Sequence, residues 1–103
     1  MKSKELIDKL EEYSKRNIEI ARAKNADYST DEDAFSNFML VEQLGICSAE
    51  QGILVRLCDK ISRVAKLQKK EASVSSEKIT DTLDDAANYN MLLKALIEYR
   101  SKK

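Results

Sequence analysis

Histidine and proline are absent from this chain of 103 residues, and glycine occurs only twice, at Gly45 and Gly52. Without histidine there is no imidazole for acid–base catalysis, no Ser-His couple and no imidazole metal ligand. So little proline and glycine nearly rules out a sandwich or barrel of short strands, which needs turn residues at every reversal. Cysteine is scarce as well. Cys47 and Cys58 are too few and too isolated for a disulfide framework or a zinc site, and their apolar neighbours suit reduced thiols packed in a cytosolic protein. No window approaches the roughly 18 apolar residues of a membrane span, and the opening Met-Lys-Ser-Lys-Glu lacks a signal-peptide run. A soluble, cytoplasmic protein is the expectation. Net charge is missing too: 18 Lys and Arg balance 18 Asp and Glu, which leaves no bulk basic footprint for duplex DNA.

What the chain does have is helical periodicity. Its 43 % hydrophobic content is too high for a disordered chain. From about Lys4 to Lys24, Leu6, Leu10, Tyr13, Ile18 and Ala21 recur at helical intervals among charges. The polar run Ala26 to Asp33 then reads as a loop that is either solvated or grips a ligand. A short helix is expected over Ala34 to Leu44, with Gly45 as its C-terminal stop. Ser48-Ala49-Glu50-Gln51 is a capping box, and the helix it opens should run to about Glu71 on a stripe of Ile53, Leu54, Leu57, Ile61, Val64 and Leu67. Residues Ala72 to Ser76 form a short linker, and Ser76 caps a last helix of about Glu77 to Arg100. Its core face is Ile79, Leu83, Ala86, Ala87, Leu92, Leu93, Leu96 and Ile97. A short linker between two long helices predicts an antiparallel hairpin. The expected fold is a single all-α domain of about four helices, a small bundle built on that hairpin.

Charge clusters mark where chemistry can sit. Arg56, Lys60 and Arg63 lie at i, i+4 and i+7, three cations on one face with Asp59 beside them. Such a ladder either holds a phosphate, whose oxygens match a guanidinium fork, or is a solvated face of ion pairs. On the last helix Asp81, Asp84, Asp85 and Asn88 share one side. Like charges at that spacing destabilise a helix by about 0.2–0.5 kcal/mol per pair. The helix dipole offsets this in the first turn only; a hard cation such as Mg²⁺ would offset it throughout. If Asp59 faced the acidic turn, Asp59 with Asp81 and Asp84 or Asp85 would make a Mg²⁺ cage beside the cation ladder. Tyr28, Phe35, Phe38 and Tyr89 are core aromatics or, for one or two of them, platforms on which a base stacks. Tyr28 is the strongest candidate for stacking, because its polar segment has no core to fill.

Three segments together carry a resemblance. They are Lys24-Asn25-Ala26-Asp27-Tyr28, then Gly52-Ile53-Leu54-Val55-Arg56-Leu57-Cys58-Asp59-Lys60-Ile61-Ser62-Arg63, then Glu77-Lys78-Ile79-Thr80-Asp81-Thr82-Leu83-Asp84-Asp85-Ala86-Ala87-Asn88-Tyr89. Over about residues 20–97 the chain resembles the small phage and bacterial family called nucleotide-modification-associated domain 1, an all-helical domain. The resemblance implies nucleotide handling in a phage or prophage setting. It implies Lys24, Tyr28, Arg56, Lys60, Arg63, Asn88 and Tyr89 as nucleotide contacts, and Asp59, Asp81, Asp84 and Asp85 as ligands of Mg²⁺. The acidic hairpin is also similar to that of the all-α nucleoside-triphosphate pyrophosphohydrolases. It departs from them, since Asp81-x-x-Asp84 imitates one metal motif but the preceding helix offers Asp59 between arginines instead of paired glutamates. Two activities are therefore expected: a homo-oligomeric nucleotide-binding protein with Mg²⁺-dependent hydrolysis, or a non-catalytic counter-defence protein that sequesters a nucleotide signal or inhibits a host protein.

Overall fold

The computed structural model describes residues 1–28, 34–69 and 76–102, without the side chains of Tyr28, Ser76, Glu77 and Lys78. Helix α1 spans Ser3–Tyr28, a 3₁₀ turn covers Ser36–Phe38, and α2 spans Leu40–Gln43. Helices α3 and α4 span Ala49–Lys69 and Ser76–Ser101. No strand occurs among the described residues, and the fold is an all-α small helical bundle. The long helices α3 and α4 form the expected antiparallel hairpin. Arg100 near the end of α4 reaches Glu50 at the start of α3 (2.6 Å), while Lys60 and Asp85 pair further along (3.2 Å).

Local chemistry sets the boundaries. Gly45 takes φ +73°, open to a residue without Cβ, and the Gly45 and Ile46 amides donate to Glu42 and Val41 carbonyls (2.9 Å each). That pair of bonds closes α2 as a Schellman motif. The capping box forms as expected: the Gln51 amide donates to Ser48 Oγ and the Ser48 amide to Gln51 Oε1, both at 3.0 Å. Gly52 permits close approach of α2, since a Cβ there would lie 3.1 Å from Val41 Cγ2.

Two expectations needed correction. Helix α1 continues to Tyr28 instead of ending near Asn25. Asn and Asp cost only a few tenths of a kcal/mol within a helix, and the contacts of Lys24 with α4 outweigh that. The single helix expected over Ala34 to Leu44 is broken into a 3₁₀ turn and a four-residue α2. Three residues per turn place Phe35 and Phe38 on one side, where both reach the core. Residues 29–33 of the polar loop and 72–75 of the expected linker lie outside the described residues, while Ser76, expected to cap the last helix, is the first residue of α4.

The core occupies one end of the hairpin. Phe38, Ala49, Ile53 and Leu96 are buried there, with Phe35, Met39, Tyr89, Leu92 and Leu93 packed around them. Ile53 and Leu96 are 0 % and 2 % exposed, and each contributes about 1.5–3 kcal/mol by leaving water. Arg100 closes this end. Its guanidinium donates to Glu42 Oε2 (2.9 Å) and Glu50 Oε1 (2.6 Å), and Glu42 Oε1 accepts from the Ala49 amide at 2.8 Å. The outer flank of the hairpin is looser: Leu54, Ile61, Leu83 and Ile97, all expected in the core stripes, are about half exposed.

Candidate functional site

A cavity of about 470 Å³ lies where four elements meet. Helix α1 contributes Ala21, Lys24 and Asn25; the segment before α2 contributes Ala34, Asn37 and Phe38. Helix α3 contributes Arg56, and α4 contributes Asp85, Asn88, Tyr89 and Leu92. The volume falls within the range of small-molecule sites, and so does the mixture of apolar wall and few polar groups. Beside it opens a shallower concavity of about 320 Å³ lined by Arg56, Asp59, Lys60, Arg63 and Tyr89. Arg56 and Tyr89 border both hollows. The cation ladder and the Asn88-Tyr89 pair, separated by 25 or more residues in sequence, are thus neighbours in space.

Asn88 is the unusual group. It is only 7 % exposed, and neither its amide nitrogen nor its carbonyl oxygen has a hydrogen-bond partner among the described residues. Leaving a buried polar group unpaired costs about 1–3 kcal/mol, so a side chain with both ends unpaired on a cavity wall is poised for something that enters. An amide offers a donor and an acceptor side by side, the complement of a heterocycle edge.

The charges are arranged unevenly. Asp85 pairs with Lys24 (3.0 Å) and Lys60 (3.2 Å). Burial raises its carboxyl pKa, but the hydrogen bonds from the two lysines more than compensate and hold it below the ordinary carboxylate range. Arg56 stands over the Phe38 ring, 5.2 Å from the centroid, in a cation–π contact. No carboxylate of the described residues lies within ion-pair distance of Arg56 or Arg63. Two guanidiniums therefore line the ledge with no ion pair among the described residues, although Asp59 shares it, and cations so placed favour an anion there.

The acids do not assemble as the Mg²⁺ reading required. Asp81 and Asp84 turn to Arg16 (3.5 and 3.4 Å), Asp85 turns to the lysines, and Asp59 sits with the cations on the ledge. No group of three or more acidic, cysteine or histidine side chains stands close enough to hold a metal among the described residues. Protein cations supply neutralisation that the acid spacing demanded, and Asp59, Asp81, Asp84 and Asp85 do not form a single donor cluster among the described residues. Arg16 was not foreseen, because nothing local marks its pairing across 65 residues. Asn37 and Leu92 in the cavity wall were missed for the same reason. Tyr28 ends α1 one turn past Lys24, with its side chain outside the description. Cys47 is half-buried and Cys58 exposed, so only the first suits the core reading. No helix among the described residues is long and apolar enough to cross a membrane. No family model, curated protein or solved structure matches the chain.

Proposed function

We propose that the protein binds a nucleotide, with the base in the cavity against Asn88 and Tyr89 and the phosphate on the ledge of Arg56, Lys60 and Arg63. The observation that carries this is the join between the two hollows: a buried amide without a hydrogen-bond partner among the described residues on one side, guanidiniums without an ion pair among them on the other, and Arg56 and Tyr89 shared. A base needs a polar edge partner and a π-face; a phosphate needs cationic donors. Lys24 orders the α1 wall through Asp85, and Tyr28 joins the reading as a further stacking ring. Capture is favoured over hydrolysis because Asp85, the one carboxylate among the described residues of the cavity wall, is held ionised by two lysines, which makes it a weak base. The resemblance in sequence extends the reading to a homo-oligomeric phage or prophage protein acting in the bacterial cytoplasm, where it withholds a nucleotide from other proteins.

Calorimetric titration with a panel of mono-, di-, tri- and cyclic nucleotides, with and without Mg²⁺ and with turnover monitored, tests this. Asn88→Leu should abolish binding while thermal stability holds or rises by about 1 kcal/mol, because an unsatisfied buried amide is gone. Steady turnover would replace capture with catalysis. A panel without any binder would remove the nucleotide reading.

A further inference from the structure

Before Arg16, whose ion pairs reach α4, no described residue covers any side of α1. Each residue from Met1 to Arg16 is exposed, and Asn17 is the first buried one. Leu6, Leu10 and Tyr13 nevertheless share a helical face with Asn17, Ala21 and Lys24, each three or four residues from the next. From Asn17 onward that face lies on α4 and the cavity. Before it, Leu6, Ile7, Leu10 and Tyr13 are 46, 53, 47 and 47 % exposed. A bare helix of about twelve residues is marginal in water, so its apolar stripe calls for a surface.

A second bare face lies on the hairpin. Leu54, Cys58 and Ile61 sit at i, i+4 and i+7 along α3, on the flank opposite Arg56 and Arg63. On α4, Leu83 and Ile97 lie on the flank opposite Asp81 and Asn88, about four turns apart. Because the helices are antiparallel, Leu54 falls near Ile97, and Ile61 lies towards Leu83. The hairpin thus has a cationic and polar side holding the cavity and a second flank, where Leu54, Cys58, Ile61, Leu83 and Ile97 stand exposed with Asn90 and Lys94, that none of the described residues covers.

Area identifies the occupant. The chain exposes 8071 Å², whereas a compact protein of 11.7 kDa exposes about 5,900 Å². Its radius of gyration is 15.8 Å against about 13 Å for a compact chain of this length. The surplus of roughly 2,200 Å² per chain exceeds the ~800 Å² per partner of a standard interface and leaves room for a homodimer contact. With a formal net charge of zero, no bulk repulsion opposes association of two copies.

Resting on the self-association proposed above, we infer that a second copy covers both faces. The arm of each protomer, through Leu6, Leu10 and Tyr13, lies along the Leu54–Ile61–Leu83–Ile97 flank of its partner. The exchange is reciprocal and closes with two-fold symmetry. It leaves both cavities open, since each lies on the opposite side of its hairpin, and it steadies the helix that brings Lys24 to the cavity.

Light scattering at tens of micromolar should give a dimer for the intact chain. Leu10→Ser and Ile61→Ser should each weaken the dimer at least tenfold; both positions are half exposed within the chain, so folding survives, which circular dichroism checks. Leu10→Cys should be joined to the native Cys58 of the partner by a short bis-maleimide, located by peptide mass spectrometry. A dimer that resists both serine variants and yields only Cys58–Cys58 products would overturn the arm exchange and leave self-association standing. A monomeric intact chain would remove both.

Discussion

The two halves of the chain's helical pattern fare differently. At one end of the hairpin, Ile53 and Leu96 disappear beneath Phe38 and its neighbours, and Arg100 ties α2, α3 and α4 together. Along the first turns of α1, leucines and a tyrosine at equally regular spacing stay about half exposed. Periodicity says which side of a helix is apolar. It does not say whether this chain has anything to lay against that side. The difference teaches that a stripe without a counterpart is information about a partner, and the cavity obeys the same logic in polar terms, since among the described residues Asn88 has no hydrogen-bond partner and Arg56 no ion pair.

The sharpest way to break the comparison is truncation at both places. Ile53→Ala should cost about 2–5 kcal/mol in urea unfolding, because a packed cavity opens. Leu10→Ala should cost less than about 0.5 kcal/mol at protein concentrations where the chain is dissociated. Equal costs under dilute conditions would mean that α1 is supported within one chain after all.

Next in size is Arg56→Ala. If the ledge holds phosphate, affinity for the best nucleotide should fall by about 1.5–3 kcal/mol, roughly 10- to 150-fold. Stability should change little, because among the described residues Arg56 has no carboxylate to leave unpaired and gives up its contact with Phe38. A large drop in melting temperature with unchanged affinity would make Arg56 a structural residue of the core end.

Acid should separate the regions as well. The hydrogen bonds of Arg100, with that of the Ala49 amide, lower the Glu42 carboxyl from its ordinary 4.5 to about 2. A carboxyl depressed by folding contributes stability above its unfolded pKa and loses it as pH falls towards the folded value. The melting temperature should therefore decline from about pH 4.5 downward, and in Arg100→Gln that slope should flatten. An unchanged slope would show that other carboxyls, Asp85 among them, dominate the acid limb.

The smallest effect belongs to Arg16. Its partner atoms on Asp81 lie 3.5 Å away with both side chains more than half exposed, so Asp81→Asn should cost no more than about 1 kcal/mol. Most of that should vanish in 1 M salt, where screening acts within about 3 Å. A larger, salt-insensitive loss would mean that the acidic side of α4 anchors α1 far more firmly than its exposure suggests.

Much of the fold was legible because its signals are local. Gly45 as a stop, the Ser48–Gln51 box and the two long stripes each depend on residues within about four positions of one another, where backbone geometry converts spacing into structure directly. The cation ladder was legible for the same reason. The broken helix around Phe35 and Phe38 was not, since its form is imposed by a core assembled from α3 and α4. The acids show the limit most clearly. Their spacing announced an unmet need for positive charge, but spacing is silent on which cation answers, and Arg16, Lys24 and Lys60 arrive from elsewhere in the chain.

By itself, then, the sequence determined the helices, their ends and the faces on which charge and apolar surface gather, because a helix relates each residue only to its near neighbours. Tertiary structure alone decided the pairing of Asp85 with two lysines, the isolation of Asn88 on a cavity wall and the bareness of the α1 arm. Each of those depends on which distant groups come within a few ångströms, and ion pairing, desolvation and burial act only at that range.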